Sequence, residues 1–184
     1  MADVQIKGLK ELYEALQQLP VKMEQNVMRG ALRAGAKVLE AEVKQNVPVA
    51  QPSEENARLY GGREGLLRDS VRVSVKARRG TVTAAVKAGG KVKGGGVVFY
   101  AHMVERGTAA HYIRAKSKKG LSLGGAVFRG VMHPGARPKP FMRPAFDTQH
   151  RAAIEAAREY IRARLAIKHG INVPGPGSEL DTEE

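Results

Sequence analysis

The sequence contains no cysteine and no tryptophan. The first absence excludes a disulfide framework, a thiolate metal site and a cysteine nucleophile. Aromatic residues make up only 5% of the 184-residue chain, so its core must be built mainly from Val, Leu, Ile and Ala. Long apolar runs are missing too. None approaches the roughly 18 residues of a membrane helix, and the opening MADVQIK lacks the basic start and apolar stretch of a secretory signal. The chain therefore reads as a soluble protein made in a reducing compartment, with no membrane partner. Apolar residues still reach 42%, enough for a core and too many for wholesale disorder. At this length one domain is expected.

Acidic residues are scarce in one region. Residues 63–143 hold 18 basic and three acidic side chains, in a chain with 31 Lys and Arg against 18 Asp and Glu. Residues 1–62 are balanced, while Gly175–Glu184 holds four acids and no base. A local surplus of this kind favours polyanion partners: nucleic acid, an acidic protein face or an anionic surface. A solvated basic surface kept for solubility accounts for the same composition.

Periodicity divides the chain. Val4–Ile6 suits a short strand, and Leu9, Leu12, Leu16 and Leu19 then form one helical stripe. After Pro20 a second helix is expected to run to about Val47, with Val27, Ala31, Ala34 and Val38 on one face and Met28, Leu32 and Leu39 beside it. Gly30 and Gly35 weaken an isolated helix by roughly 1 kcal/mol each, so close packing against a neighbour is expected there. Pro48 excludes the α conformation at Val47 and ends the helix. Residues 48–63 read as a long exposed loop.

From Val71 the period becomes two. Val71, Val73 and Val75 alternate with Arg72, Ser74 and Lys76, Arg78–Gly80 turns, and Thr81–Ala88 returns as a partner strand. Gly89–Gly96 reads as a flexible basic stretch, Val97–Tyr100 as a third strand and Ala101–Arg106 as one helical turn. Residues 109–137 read as a long projecting basic hairpin or loop, with strand-like composition at His111–Ala115 and Ala126–Met132. Pro144–His169 is a strong helix candidate with Phe146, Ala153, Ala157, Ile161 and Leu165 near one face, and Gly170 suits its C-cap. Residues 173–184 form an acidic tail with the composition of a disordered terminus. Helices, then strands, then a helix, without βα alternation, define an α+β class: N-terminal helices and a long C-terminal helix packed on a small antiparallel sheet, residues 1–172 as a single domain.

Chemistry is thinly supplied. The histidines His102, His111, His133, His150 and His169 form no HExxH or other close metal pair, and His102, Glu105 and His111 are the nearest approach to an acid–base cluster. Glu64, Asp69 and Glu105 are the only acids available to a metal-dependent nuclease in the basic region. The glycine run at Gly89–Gly96 lacks the Gly-Lys-Ser/Thr ending and helix of a phosphate-binding loop, and Ser70 and Ser74 lack a GxSxG context. No cofactor and no catalytic residue is assigned. The basic surface carries more weight. Arg114, Lys116, Lys118 and Lys119 lie on the projecting segment beside Tyr112 and Phe128, and Arg72, Lys76, Lys87, Lys91 and Lys93 extend the charge. Such a patch binds phosphates with little sequence preference and strong salt dependence, although no DNA- or RNA-reading motif accompanies it.

Four segments together resemble a family. They are Gly8-Leu9 with its leucine stripe, Gly65–Val71 (GLLRDSV), Tyr100–Thr108 (YAHMVERGT) and Pro134–Phe146 (PGARPKPFMRPAF). Their order is similar to that of the gene-product-ten family of lambdoid tailed phages, described as a tail component or head–tail joining protein, over roughly residues 4–165. The resemblance implies a non-enzymatic virion protein at the head–tail junction, assembled in the bacterial host cytoplasm. It implies a homo-oligomeric ring around the DNA channel, a hexamer ahead of a dodecamer, placed to join or complete the tail. Its implied neighbours are a portal-side connector or head-completion protein and a tail terminator or tail-tube protein, with non-specific contact to channel DNA. A basic nucleic-acid-binding protein without a virion role is the alternative. Within the motif, Phe141, Met142 and Phe146 are expected to anchor the last helix on the sheet, Pro140 and Pro144 to stiffen its entry, and Arg143 to pair with Glu105. Arg114, Lys116, Lys118 and Lys119 are the expected DNA-channel or partner contacts.

Overall fold

The structure, a computed structural model, describes residues 13, 17, 21–49, 51, 54, 57–58, 61–115, 120–123 and 126–170. The leucine stripe, Val4–Ile6, Lys116, Lys118, Lys119 and the acidic tail lie outside these residues. Among the described residues the long elements are helix α1 (Val21–Asn46) and helix α4 (Met142–His169). Between them come helix α2 (Leu66–Asp69), strands β1 (Arg72–Arg78), β2 (Thr81–Lys87), β3 (Gly90–Lys91) and β4 (Val97–Val98), and helix α3 (Ala101–Arg106). Strands β5 (His111–Arg114), β6 (Leu121–Leu123), β7 (Ala126–Phe128) and β8 (Gly130–His133) complete the order. The class is α+β, and every strand pair is antiparallel. Where the sequence suggests one small sheet, the described residues form four two-stranded ribbons, β1–β2, β3–β4, β5–β8 and β6–β7.

The chain folds as two compact units. The first comprises residues 1–45, 71–87 and 145–184, and its described part is built on α1, the β1–β2 ribbon and α4 from Ala145 onward. Val27 and Ala31 of α1 are buried with Ile161 and Leu165 of α4, flanked by Met28, Ala157 and Tyr160. Gln149 Nε2 donates to Glu42 Oε2 at 3.3 Å farther along, so the two helices run antiparallel. The stripe read from the sequence is corrected beyond Ala31. Burial follows Ala36 and Val43, whereas Ala34 and Val38 are only half-buried. Gly35 explains the shift: a Cβ there would stand 2.5 Å from the Ala153 carbonyl oxygen, so the α4 backbone lies directly over it. Gly30 likewise gives its space to the Tyr160 ring. These glycines mark the contact between the helices and admit a closer approach than alanine would.

In β1–β2 the register pairs Arg78 with Thr81 and leaves Arg79-Gly80 as a two-residue turn. Their φ values of 50° and 81° match the type I′ turn whose twist suits a hairpin. Val73, Val75, Val82, Ala84 and Val86 are half-buried on one face, as their alternation requires.

The second unit comprises residues 46–70 and 88–144. Helix α1 ends at Asn46, and Val47, ahead of Pro48, is buried. Leu66 and Leu67 of α2 are buried, and Arg63 closes on Asp69 at 2.6 Å. Ser70 follows: its hydroxyl donates to the Leu67 carbonyl at 2.6 Å and accepts the Gly89 N–H at 2.9 Å. The glycine run read as flexible is partly ordered instead. Gly90 and Lys91 pair with Val98 and Val97, and Val92 N–H donates to the Gly96 carbonyl at 3.1 Å. Strand β5 pairs with β8, and β6 with β7, whose residues fall between those two in the sequence; Arg129 divides the strand expected over Ala126–Met132.

Candidate functional site

In the second unit, the Tyr100–Thr108 segment meets the Pro134–Pro144 part of the second motif segment. Helix α3 presents Glu105, whose Oε2 accepts the amides of Phe141 at 2.7 Å and Met142 at 3.0 Å. Its Oε1 takes the Arg143 amide at 3.3 Å. The first amides of a helix have no intrahelical partner, and the next residue, Pro144, has no N–H to satisfy. One carboxylate therefore serves every free amide at the start of α4, where its charge also meets the positive end of the helix dipole. Burial alone pushes the Glu105 carboxyl upward. The three amide donors and the Arg143 charge outweigh it, and the pKa settles below the ordinary carboxylate value.

Gly107 and Thr108 extend the join. Thr108 and Ala136 exchange backbone hydrogen bonds at 2.9 and 3.1 Å, and the Thr108 hydroxyl oxygen accepts a second contact from the Ala136 amide at 2.9 Å. Lys139 N–H donates to the Val104 carbonyl at 2.8 Å. A Cβ on Gly107 would stand 2.5 Å from the Ala136 carbonyl oxygen. Glu105 and Thr108 of the ERGT run thus hold the proline-rich segment.

The motif residues have different placements. Phe141 is fully buried, Pro140 and Arg143 are exposed, and Pro144 occupies the first turn of α4. Phe146 does not anchor the helix: it is 58% exposed. The buried line of α4 runs through Ala145, Ala153, Ile161 and Leu165, and Phe146, one residue on from Ala145, is turned about 100° away from it. The Arg143–Glu105 contact is made through the Arg143 backbone amide, with the guanidinium acting on the carboxylate at longer range. The sequence presents Ser70 only as a nucleophile without a GxSxG context, and Gly107 only as part of a motif; a serine ending a short helix and a glycine after Glu-Arg are the signals of their actual roles.

Arg114 ends β5, exposed and opposite Gly130. Neighbouring hairpin positions are unusually apolar for an exposed surface: Tyr112 is 55% and Met132 66% exposed, directly opposite each other, and Val127 and Phe128 are exposed on β7. His111 lies opposite His133 with ring centroids 5.1 Å apart. His111 Nδ1 contacts the Ala109 carbonyl at 2.9 Å, and His133 Nδ1 accepts the Gly135 amide at 3.0 Å. In the first unit Leu32, Leu39, Ala84, Val86, Phe146 and Ile154 line an open apolar groove of about 320 Å³.

Among the described residues no three His, Asp or Glu side chains gather as a metal site, and no helix is long and apolar enough to cross a membrane. Glu105, the acid of the nearest acid–base candidate, is occupied by backbone amides.

The described residues define a small α+β protein with exposed apolar and basic positions on its ribbons. The family described as "Bacteriophage HK97-gp10, putative tail-component" matches residues 10–107, more than half of the chain, and the chain belongs to it. It is a structural protein of the bacteriophage virion, a tail component that associates with other virion proteins. The match contains GLLRDSV and ends at Gly107, so it holds the Glu105 side of the join and stops short of the Phe141 side. No curated protein and no solved structure matches the chain.

Proposed function

We propose that this tail component acts at the head–tail neck, as a homo-oligomeric ring that joins or completes the tail around the DNA channel, without catalysis. Family membership carries the reading. The exposed Tyr112, Met132, Val127 and Phe128 side chains of the hairpin support it, because a two-stranded ribbon gains stability by packing against more structure. Ring contacts are heterologous, so such an arm meets a different surface of the next copy. A hexamer is favoured over a dodecamer. The neighbours are a portal-side connector or head-completion protein on one side and a tail terminator or tail-tube protein on the other, with assembly in the host cytoplasm.

The segment of Arg114, Lys116, Lys118 and Lys119 contacts channel DNA or an acidic neighbour. Its test is the K116S/K118S/K119S variant, which should reduce joining or DNA retention; full infectivity would reject this role. The neck position is tested by immunogold electron microscopy of intact phage particles with antibody against this chain. Label at the head–tail junction is expected. Intact particles without label, and the protein found free instead, would overturn it and leave nucleic-acid binding as the working alternative.

A further inference from the structure

The β1–β2 ribbon has two dissimilar faces. Its apolar face is half-buried, while the opposite face carries Arg72, Ser74, Lys76 and Arg78 against Lys87, Ala85, Thr83 and Thr81, register partner by register partner. Arg79 stands at the turn. No acid occurs between Ser70 and Val104, and Lys76, Arg78, Arg79 and Lys87 are all exposed and make no ion pair among the described residues. Arg72 and Lys87 are directly opposite each other in the register. A face of this kind is suited to a dense line of negative charge.

We propose that this face of the β1–β2 ribbon is a docking surface for the phosphate backbone of duplex DNA. The cations are spread along the ribbon, which is roughly 20 Å long at 3.4 Å per residue, and a two-stranded ribbon is narrow enough to lie in the major groove. Ser74, Thr81 and Thr83 lie among them, and their hydroxyls suit phosphate oxygens. An acidic protein surface fits less well. Protein interface centres are apolar or aromatic and poor in lysine, whereas Ala85 is the only apolar residue among the paired positions of this face. There is no Asn or Gln in either strand to read a base edge, so binding is non-specific in sequence. The ribbon belongs to the first unit and the Arg114 segment to the second, and the proposal is independent of where in the virion the protein sits.

Full-length protein titrated onto a fluorescein-labelled mixed-sequence duplex, read by anisotropy, tests it. Neutralising four phosphates through Lys76, Arg78, Arg79 and Lys87 contributes about −3.6 to the slope of log affinity against log salt, about a 150-fold loss between about 50 and 200 mM. K76S/R78S/K87S should make the slope shallower by about 2.7, and K116S/K118S/K119S should leave this contribution in place. Thr83→Glu separates binding from folding. It sets a carboxylate opposite Lys76, an opposite-charge cross-strand pair that supports the ribbon, so DNA affinity should fall while the thermal midpoint holds or rises. A slope unchanged in K76S/R78S/K87S with native circular dichroism, or full DNA affinity in T83E, overturns the proposal. So does loss of binding to an acidic virion protein with DNA affinity intact. Immunogold label away from the neck would leave the titration result standing, so this inference and the neck reading fail separately.

Discussion

The Glu105 carboxylate accepts the Phe141 amide at 2.7 Å, across 36 residues of chain. It serves as the N-terminal cap of α4 although it belongs to a different helix. Glu105→Gln keeps the shape but loses the charge that makes these bonds strong. Because the group is half-exposed, solvent screening limits the effect. The expected loss is about 0.5–2 kcal/mol, the range of a removed cap, measured by urea denaturation at neutral pH.

The same contact predicts a pH dependence. The folded-state pKa of Glu105 is depressed, so between that value and the unfolded one, about 4.3, the unfolded chain binds more protons. The contribution is therefore fully present above about pH 4.3 and is lost as pH falls through the lower folded value. Thermal midpoints of wild type and E105Q should converge as pH drops through that window. A constant gap down to the acid unfolding of both proteins would show that the charge of Glu105 is not what holds the helix start.

Phe141 and Phe146 have the same side chain and opposite fates. Phe141→Ala empties a fully buried site and should cost about 3–5 kcal/mol. Phe146→Ala, at a 58% exposed position, should shift stability by less than about 1 kcal/mol. Paired chemical denaturation curves check both values; equal losses would restore Phe146 as an anchor of the helix.

Local patterns foretold local structure. The valine alternation over residues 71–75 and the Arg79-Gly80 turn define β1–β2, and Pro48 fixes the end of α1 at Asn46. Positions decided by a distant partner were not legible. The α1 stripe drifts from Ala34 and Val38 to Ala36 and Val43 because Gly35 brings α4 in close, and no periodicity within α1 reports that. The sequence associates Glu105 with the correct segment, yet through the Arg143 side chain, since a carboxylate that binds backbone amides imposes no complementary residue type. The His111–His133 pairing depends on hairpin register, and the long basic stretch between them leaves register open.

Gly35→Ala tests the helix contact. Alanine raises helix propensity by about 1 kcal/mol, so an exposed site would be stabilised. Here the new methyl meets the Ala153 backbone carbonyl, which cannot swing aside. Overpacking of this kind costs about 1–3 kcal/mol, and a net destabilisation is expected. Gly30→Ala should be milder, because its obstacle is the Tyr160 ring, which has rotamers to retreat into. A G35A protein with a higher denaturation midpoint than wild type would show that α4 does not press on this position.

Gly107 offers the most demanding test of the join between the two motif segments. Its φ of 74° and ψ of −175° fall in a region open essentially to glycine alone. A Cβ there would also strike the Ala136 carbonyl that bonds to Thr108. Backbone strain of about 1–3 kcal/mol adds to the loss of that contact, so Gly107→Ala should cost at least about 2 kcal/mol. Gly80→Asn is the control. Gly80 has φ 81° with open space around it, and asparagine tolerates left-handed turns, so its cost should stay below about 1 kcal/mol. Amide hydrogen exchange separates the two readings of a destabilised G107A protein. If Gly107 secures the join, exchange should rise first at Thr108, Ala136 and Lys139, and the β1–β2 ribbon should remain protected. A uniform rise over both units would mean that Gly107 supports the whole fold and holds no particular pair of segments together.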